Sequence, residues 1–80
     1  MQRRMRARRL NSSLIDRIIF DDDAETLSIS FRQSGKYIYY GVPRAIYDAL
    51  AKAQSAGHFF NEAIKGHFRC EPARKRHRPN

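Results

Sequence analysis

Leu27-Ser28-Ile29-Ser30-Phe31 alternates large apolar and small polar side chains at every position. That is the period-two pattern of a β-strand with one dry face and one wet face. On its N-terminal side, Leu14-Ile15-Asp16-Arg17-Ile18-Ile19-Phe20 is rich in β-branched and aromatic residues and ends in Asp21-Asp22-Asp23-Ala24. It reads as a strand entering a turn. On the C-terminal side, Gln33-Ser34-Gly35 makes a second turn before Lys36-Tyr37-Ile38-Tyr39-Tyr40, a third strand dense in aromatics. Two successive hairpins imply a three-stranded antiparallel meander.

The chain then changes period. Pro43 suits a helix start, where its missing N–H is no loss, and residues 44–54 place Ile46, Leu50 and Ala53 on one face, with Asp48 and Lys52 as an i,i+4 pair on the other. Ser55 is positioned to cap a second helix running to about Lys65. Phe60 and Ile64 share one face of it, Phe68 extends that face, and Gly66 ends the helix. The expected architecture is α+β, in the order β-β-β-α-α, with both helices packed on one face of the sheet.

Eighty residues bound this to one small domain. The 16 Lys and Arg outnumber the 8 Asp and Glu, and the excess is segregated. Residues 1–10 hold Arg3, Arg4, Arg6, Arg8 and Arg9 with no acid, and residues 72–80 hold Arg74, Lys75, Arg76 and Arg78 with no acid. Between them, residues 11–71 carry a net charge of −1. Neither end has the spaced apolar residues that repay ordering entropy. The expected organisation is therefore a disordered arm over 1–11, a folded domain over 12–70 and a disordered basic tail over 71–80.

Acid-free arginine clusters attract polyanions by Coulomb attraction and counterion release, so nucleic acid is the first partner to consider. A membrane partner is not expected: no apolar run approaches the roughly 20 residues of a spanning helix, and Met1, Met5 and Leu10 are too few anchors for an interfacial one. The single cysteine, Cys70, fits a reducing compartment such as the cytoplasm.

The central tyrosines have two readings. A two-residue Ser34-Gly35 loop would set Arg32 opposite Tyr37 and Ser30 opposite Tyr39, exposing both rings as a stacking platform for single-stranded bases. A three-residue Gln33-Ser34-Gly35 loop would set Phe31 opposite Tyr37 and Ile29 opposite Tyr39, burying both and turning Ile38 and Tyr40 outward. Turn chemistry favours the second, because glycine suits the left-handed third position of the longer loop. One residue of slip reverses the answer.

The stretch from Ser12 to Phe68 resembles the KTSC domain, a family named for its place at the C-terminus of some lysyl-tRNA synthetases and also found as short bacterial proteins. The matching pieces are Ser12-Ser13-Leu14-Ile15, the strand Leu27–Phe31, Tyr37-Ile38-Tyr39 followed by Gly41-Val42-Pro43, and the run AQSAGHFFNEAIKGHF from Ala53 to Phe68. The synthetase context of the family implies RNA as the nucleic acid.

Other chemistry is weakly represented. His67 and Cys70, even with His58 or His77, fall short of a structural zinc set. The Asp21–Asp23 cluster reads as turn chemistry, and Cys70 has no recognisable base beside it. The four glycines are dispersed and form no phosphate loop. No enzyme activity, metal or cofactor is expected. The sequence therefore points to a nucleic-acid-binding module, with Arg3, Arg4, Arg6, Arg8, Arg9, Arg32, Lys36, Tyr37, Tyr39, Tyr40, Arg74, Lys75, Arg76 and Arg78 as candidate contacts. The rival expectation is a protein-interaction or homodimerisation module carrying solubilising tails.

Overall fold

The computed structural model describes residues 4–73. Arg3, Arg74, Lys75, Arg76 and Arg78 lie outside the described residues. The chain forms one antiparallel sheet in the order β1-β2-β3-β4-β5, made of Met5–Arg9, Ile15–Asp21, Thr26–Phe31, Gly35–Tyr40 and Cys70–Pro72. Helix α1 spans Arg44–Lys52. Helix α2 spans Ala56–Phe59 and continues without a break as a π-helical turn, Phe60–Ile64.

The three expected strands are β2, β3 and β4, but the sheet has five. Its two further strands come from stretches expected to be disordered. Met5–Arg9 pairs along its own whole length with residues 17–21 of β2, from Met5 opposite Asp21 to Arg9 opposite Arg17. The lack of spaced large apolar residues there was a poor guide, because β1 is stabilised by its ladder. It satisfies the outer backbone groups of β2, and Arg6 closes an ion pair of 3.0 Å onto Asp22. Likewise Cys70–Pro72 covers the outer edge of β4, flanked by hydrogen bonds from the Tyr40 amide to the Arg69 carbonyl and from the Ala73 amide to the Lys36 carbonyl. The sheet thus reaches beyond the expected 12–70 boundary at both ends.

Turn chemistry is as read from the aspartates. The Asp21 carboxylate accepts the amides of Asp23 and Ala24 at 3.0 and 3.2 Å, and Asp21 itself is buried. Ser55 caps α2 by accepting the His58 amide at 3.3 Å. Past the π turn, Lys65 donates to the Phe60 carbonyl and Gly66 leaves the helix with φ +81°.

One face of the sheet carries the core. Ile15, Ile18, Phe20, Leu27, Ile29 and Tyr39 meet Val42, Tyr47, Leu50, Ala56, Phe60 and Ile64. Phe20 stacks on Tyr47 at 5.4 Å, while Phe60 receives Phe31 and Tyr39 edge-on at 5.1 and 5.8 Å. The expected helix faces hold at Leu50, Phe60 and Ile64. On α1, Tyr47 is buried and Ile46 packs against the core only in part.

Deleting residues 1–9 strips β2 of its outer partner. We expect the truncated protein to lose about 1–3 kcal/mol, seen as a fall of roughly 5–15 °C in thermal midpoint by circular dichroism. An unchanged midpoint would show that β1 contributes nothing to the fold.

Candidate nucleic-acid interface

The β3–β4 register decides which side chains reach solvent. Phe31 pairs with Gly35, Ile29 with Tyr37 and Leu27 with Tyr39, so the loop is Arg32-Gln33-Ser34 and Gly35, at φ +89°, already belongs to β4. Relative to the three-residue loop expected from the sequence, every pair is displaced by two residues. The side-chain parity is therefore the same, and both tyrosines belong to the core face.

Tyr39 is buried among the core residues and Tyr37 is half-buried, edge-on to Phe31 at 5.9 Å. Neither can serve as an open stacking platform. Burial pushes the Tyr39 phenol up to about 12, reinforced by the Cys70 thiol beside it. Burial also raises Tyr47, against the pull of the Arg8 and Arg6 guanidiniums.

Tyr40 is the tyrosine of β4 on the opposite, open face, where the Arg69 guanidinium lies 5.7 Å from its ring centre. Pairing sets out the rest of that face in rows across the strands. One row runs Arg9, Arg17, Ser30 and Lys36 across β1 to β4. The next runs Ala7, Ile19, Ser28, Ile38 and Glu71. A third runs Met5, Asp21, Thr26 and Tyr40.

Arg9, Arg17 and Lys36 are exposed, and none is in an ion pair with a described residue. At an interstrand spacing of about 4.8 Å, Arg9 and Lys36 stand about 14 Å apart. The row is a line of unneutralised cations beside a half-apolar strip formed by Ile19 and Ile38.

The other candidates divide differently. Arg6 and Arg8 lie opposite Phe20 and Ile18, on the helix face, so the five residues of β1 do not act as one cationic arm. Arg4 is exposed just before β1, its carbonyl accepting the Asp22 amide. Arg32 has a structural role: it donates to the carbonyls of Ser12 and Leu10 at 2.6 and 3.2 Å and pairs with Asp16 at 3.5 Å. It ties the two loops at that end of the sheet together.

Two site residues escaped the sequence reading. Arg17 hides inside an apolar strand, and only the alternation of β2 together with its pairing to Arg9 reveals it. Arg69 follows the last helix and becomes relevant through its contact with Tyr40. Among the described residues, no group of three His, Cys, Asp or Glu could hold a metal ion, and no helix is long and apolar enough to cross a membrane.

Because burial favours the neutral phenol, Tyr39 has a higher pKa folded than its ordinary value of 10.0. Its contribution to stability is complete below pH 10 and is lost as pH rises from there through about 12. We expect spectrophotometric titration to show Tyr39 and Tyr47 ionising late, and Tyr39→Phe to remove one of these late phenols together with part of the alkaline fall in stability. A Tyr39→Phe protein with as many late-ionising phenols as the wild type would contradict the assignment.

Comparison with known proteins agrees with this architecture. The KTSC domain model matches residues 11–68. A protein of Tsukamurella paurometabola is 35% identical over 61 residues, covering 76% of this chain and 91% of its own. A lysine–tRNA ligase of Nostoc punctiforme is 36% identical over 59 residues, 74% of this chain but 10% of the ligase. The crystal structure of a KTSC domain protein from Yersinia pestis superposes with a TM-score of 0.82 at 39% identity, covering 86% of this chain and 97% of that one. That share exceeds the segment matched by the family model, so the structural likeness extends into the flanks of residues 11–68. With the family model spanning most of the chain and the same fold in a solved relative, this protein belongs to the KTSC domain family.

Proposed function

We propose that this protein binds RNA without catalysing a reaction, and that the open face of the sheet is the contact surface. The observation that carries the reading is the Arg9–Arg17–Lys36 row, three exposed cations aligned across the strands with no carboxylate partner among the described residues. Cations aligned on a surface can contact successive phosphates of a nucleic-acid backbone, whose condensed counterions are released on binding.

Beside the row, Ile19 and Ile38 form a partly apolar strip and Tyr40 offers an aromatic face two rows away. Such a surface suits a single strand, whose phosphates follow the cations while its bases lie over apolar and aromatic groups. The acidic turn Asp21–Asp23 lies at the far end of the strands and repels phosphate there, which gives the surface a direction. Arg3, Arg74, Lys75, Arg76 and Arg78 add sequence-independent phosphate contacts in this reading.

A relative named lysine–tRNA ligase supports RNA over DNA, because its matching segment sits within an enzyme that handles tRNA. That relative is ten times longer than the shared segment, so its catalytic activity is not carried over.

The test is fluorescence anisotropy with a labelled single-stranded oligoribonucleotide at several salt concentrations. Replacing Arg17 and Lys36 together by Gln should lower the slope of log affinity against log salt by about 1.4, roughly 0.7 for each phosphate that the protein no longer neutralises. Tyr40→Ala should weaken binding about five- to tenfold while leaving the slope alone, as the absence of stacking predicts. Wild-type affinity and slope in the Arg17→Gln/Lys36→Gln protein would exclude the open face as the contact surface.

A further inference from the structure

A groove of about 550 Å³ lies at the same end of the sheet as the cationic row, between the β1–β2 loop and the connection from α1 to α2. We infer that it is a separate binding site for a phosphate monoester of nucleotide size. This does not rest on the open-face reading, since the groove is walled by the helix connection and Arg8 belongs to the helix face of β1.

The lining has a consistent chemistry. Arg8 stands on one side, next to Arg9, whose side chain belongs to the open face; Asn11 and Gln54 add amide groups, and no Asp or Glu lines the groove. Arg8 is exposed and has no ion pair with a described residue, so its charge is unspent.

Two hydroxyls add donors. Ser12 Oγ accepts the Leu14 and Ile15 amides at 3.1 and 3.2 Å, and Ser55 Oγ accepts the His58 amide at 3.3 Å. Each oxygen already serves as an acceptor, which leaves its own O–H to donate. Two hydroxyls free to donate and a guanidinium around a space without carboxylates suit a doubly charged phosphate better than a cation or a neutral sugar.

The rest of the lining adds a small apolar patch. Leu14 packs so closely on Gly57 that a Cβ there would stand 3.3 Å from Leu14 Cδ2, and Ala51, Ala53 and Ala56 complete the side. A mostly polar, open groove of this size with a small apolar patch suits a phosphate and the sugar joined to it, with the base at the rim.

The test is an amide NMR titration of the full chain with AMP and, separately, with adenosine. AMP should shift the amides of residues 12–14 and 55–57 saturably, and adenosine should not. Arg8→Gln should weaken AMP at least fivefold, while Lys65→Gln, an equal loss of charge away from the groove, should leave it as in the wild type. A 5′-phosphorylated hexaribonucleotide compared with its 5′-hydroxyl form distinguishes the sources. A phosphate-dependent gain over AMP at the same amides identifies a strand end as the natural occupant, and tighter AMP identifies a free nucleotide. The inference is overturned if AMP leaves those amides unmoved, if adenosine shifts them equally, or if Arg8→Gln binds AMP like the wild type.

Discussion

Every surface of this domain follows from one pairing, Phe31 with Gly35, which sets the register of β3 on β4. Side chains alternate with a period of two, so a shift by one residue would turn Tyr37 and Tyr39 out and Ile38 and Tyr40 in. The pairing is held from both sides. Gly35 accepts the left-handed φ of +89° that ends the loop, a conformation costly for a residue with a Cβ. Phe60 takes Phe31 and Tyr39 edge-on, which gains packing only in this parity. The π turn beginning at Phe60 adds one residue to the last helical turn, and both Phe60 and Ile64 are buried on the sheet.

The same alternation sorts the charges. On β1 it sends Arg6 and Arg8 toward the helices and Arg9 toward the open face, so a run that looks uniform in sequence acts in two places. The carboxylates are then taken unequally. Asp22 serves both Arg6 and Arg44, Asp48 serves Arg44 and Asp16 serves Arg32, which leaves Arg9, Arg17 and Lys36, like Arg4, Arg8, Lys52, Lys65 and Arg69, without ion pairs among the described residues. Individual surface pairs contribute little to stability, so the consequence of this distribution is a local potential more than a sturdier fold.

Much of the central fold was legible because its signals are local. The alternation of Leu27–Phe31, the aspartate turn, the Ser55 cap and the spacing of Phe60 and Ile64 each act within a few residues. The two outer strands were not legible, since Met5–Arg9 and Cys70–Pro72 lack an apolar face and are held by ladder hydrogen bonds to partners far along the chain. The tyrosine parity was reachable from the turn chemistry, whereas the loop itself, Arg32-Gln33-Ser34, was offset from the expected Gln33-Ser34-Gly35 because glycine occupies the first strand position. Of the open-face row, Lys36 and Arg9 are visible as charges in sequence. Arg17 emerges only when β1 is known to pair with β2.

An arginine-rich outer strand has a second explanation, because charged side chains on an edge keep it from pairing with the edges of other molecules. That explanation is sufficient for Arg6, Arg8 and Arg9 on β1. It does not reach Arg17, which is on β2 with β1 and β3 on either side, nor Lys36, which is on β4 with β5 covering its outer edge. Interior strands need no such protection, and a solvated face there is equally served by serine or threonine, as Ser28, Ser30 and Thr26 show on β3. Edge protection therefore does not account for Arg17 and Lys36. Their alignment with Arg9 is the feature on which the proposed phosphate contact rests, and edge protection does not account for it.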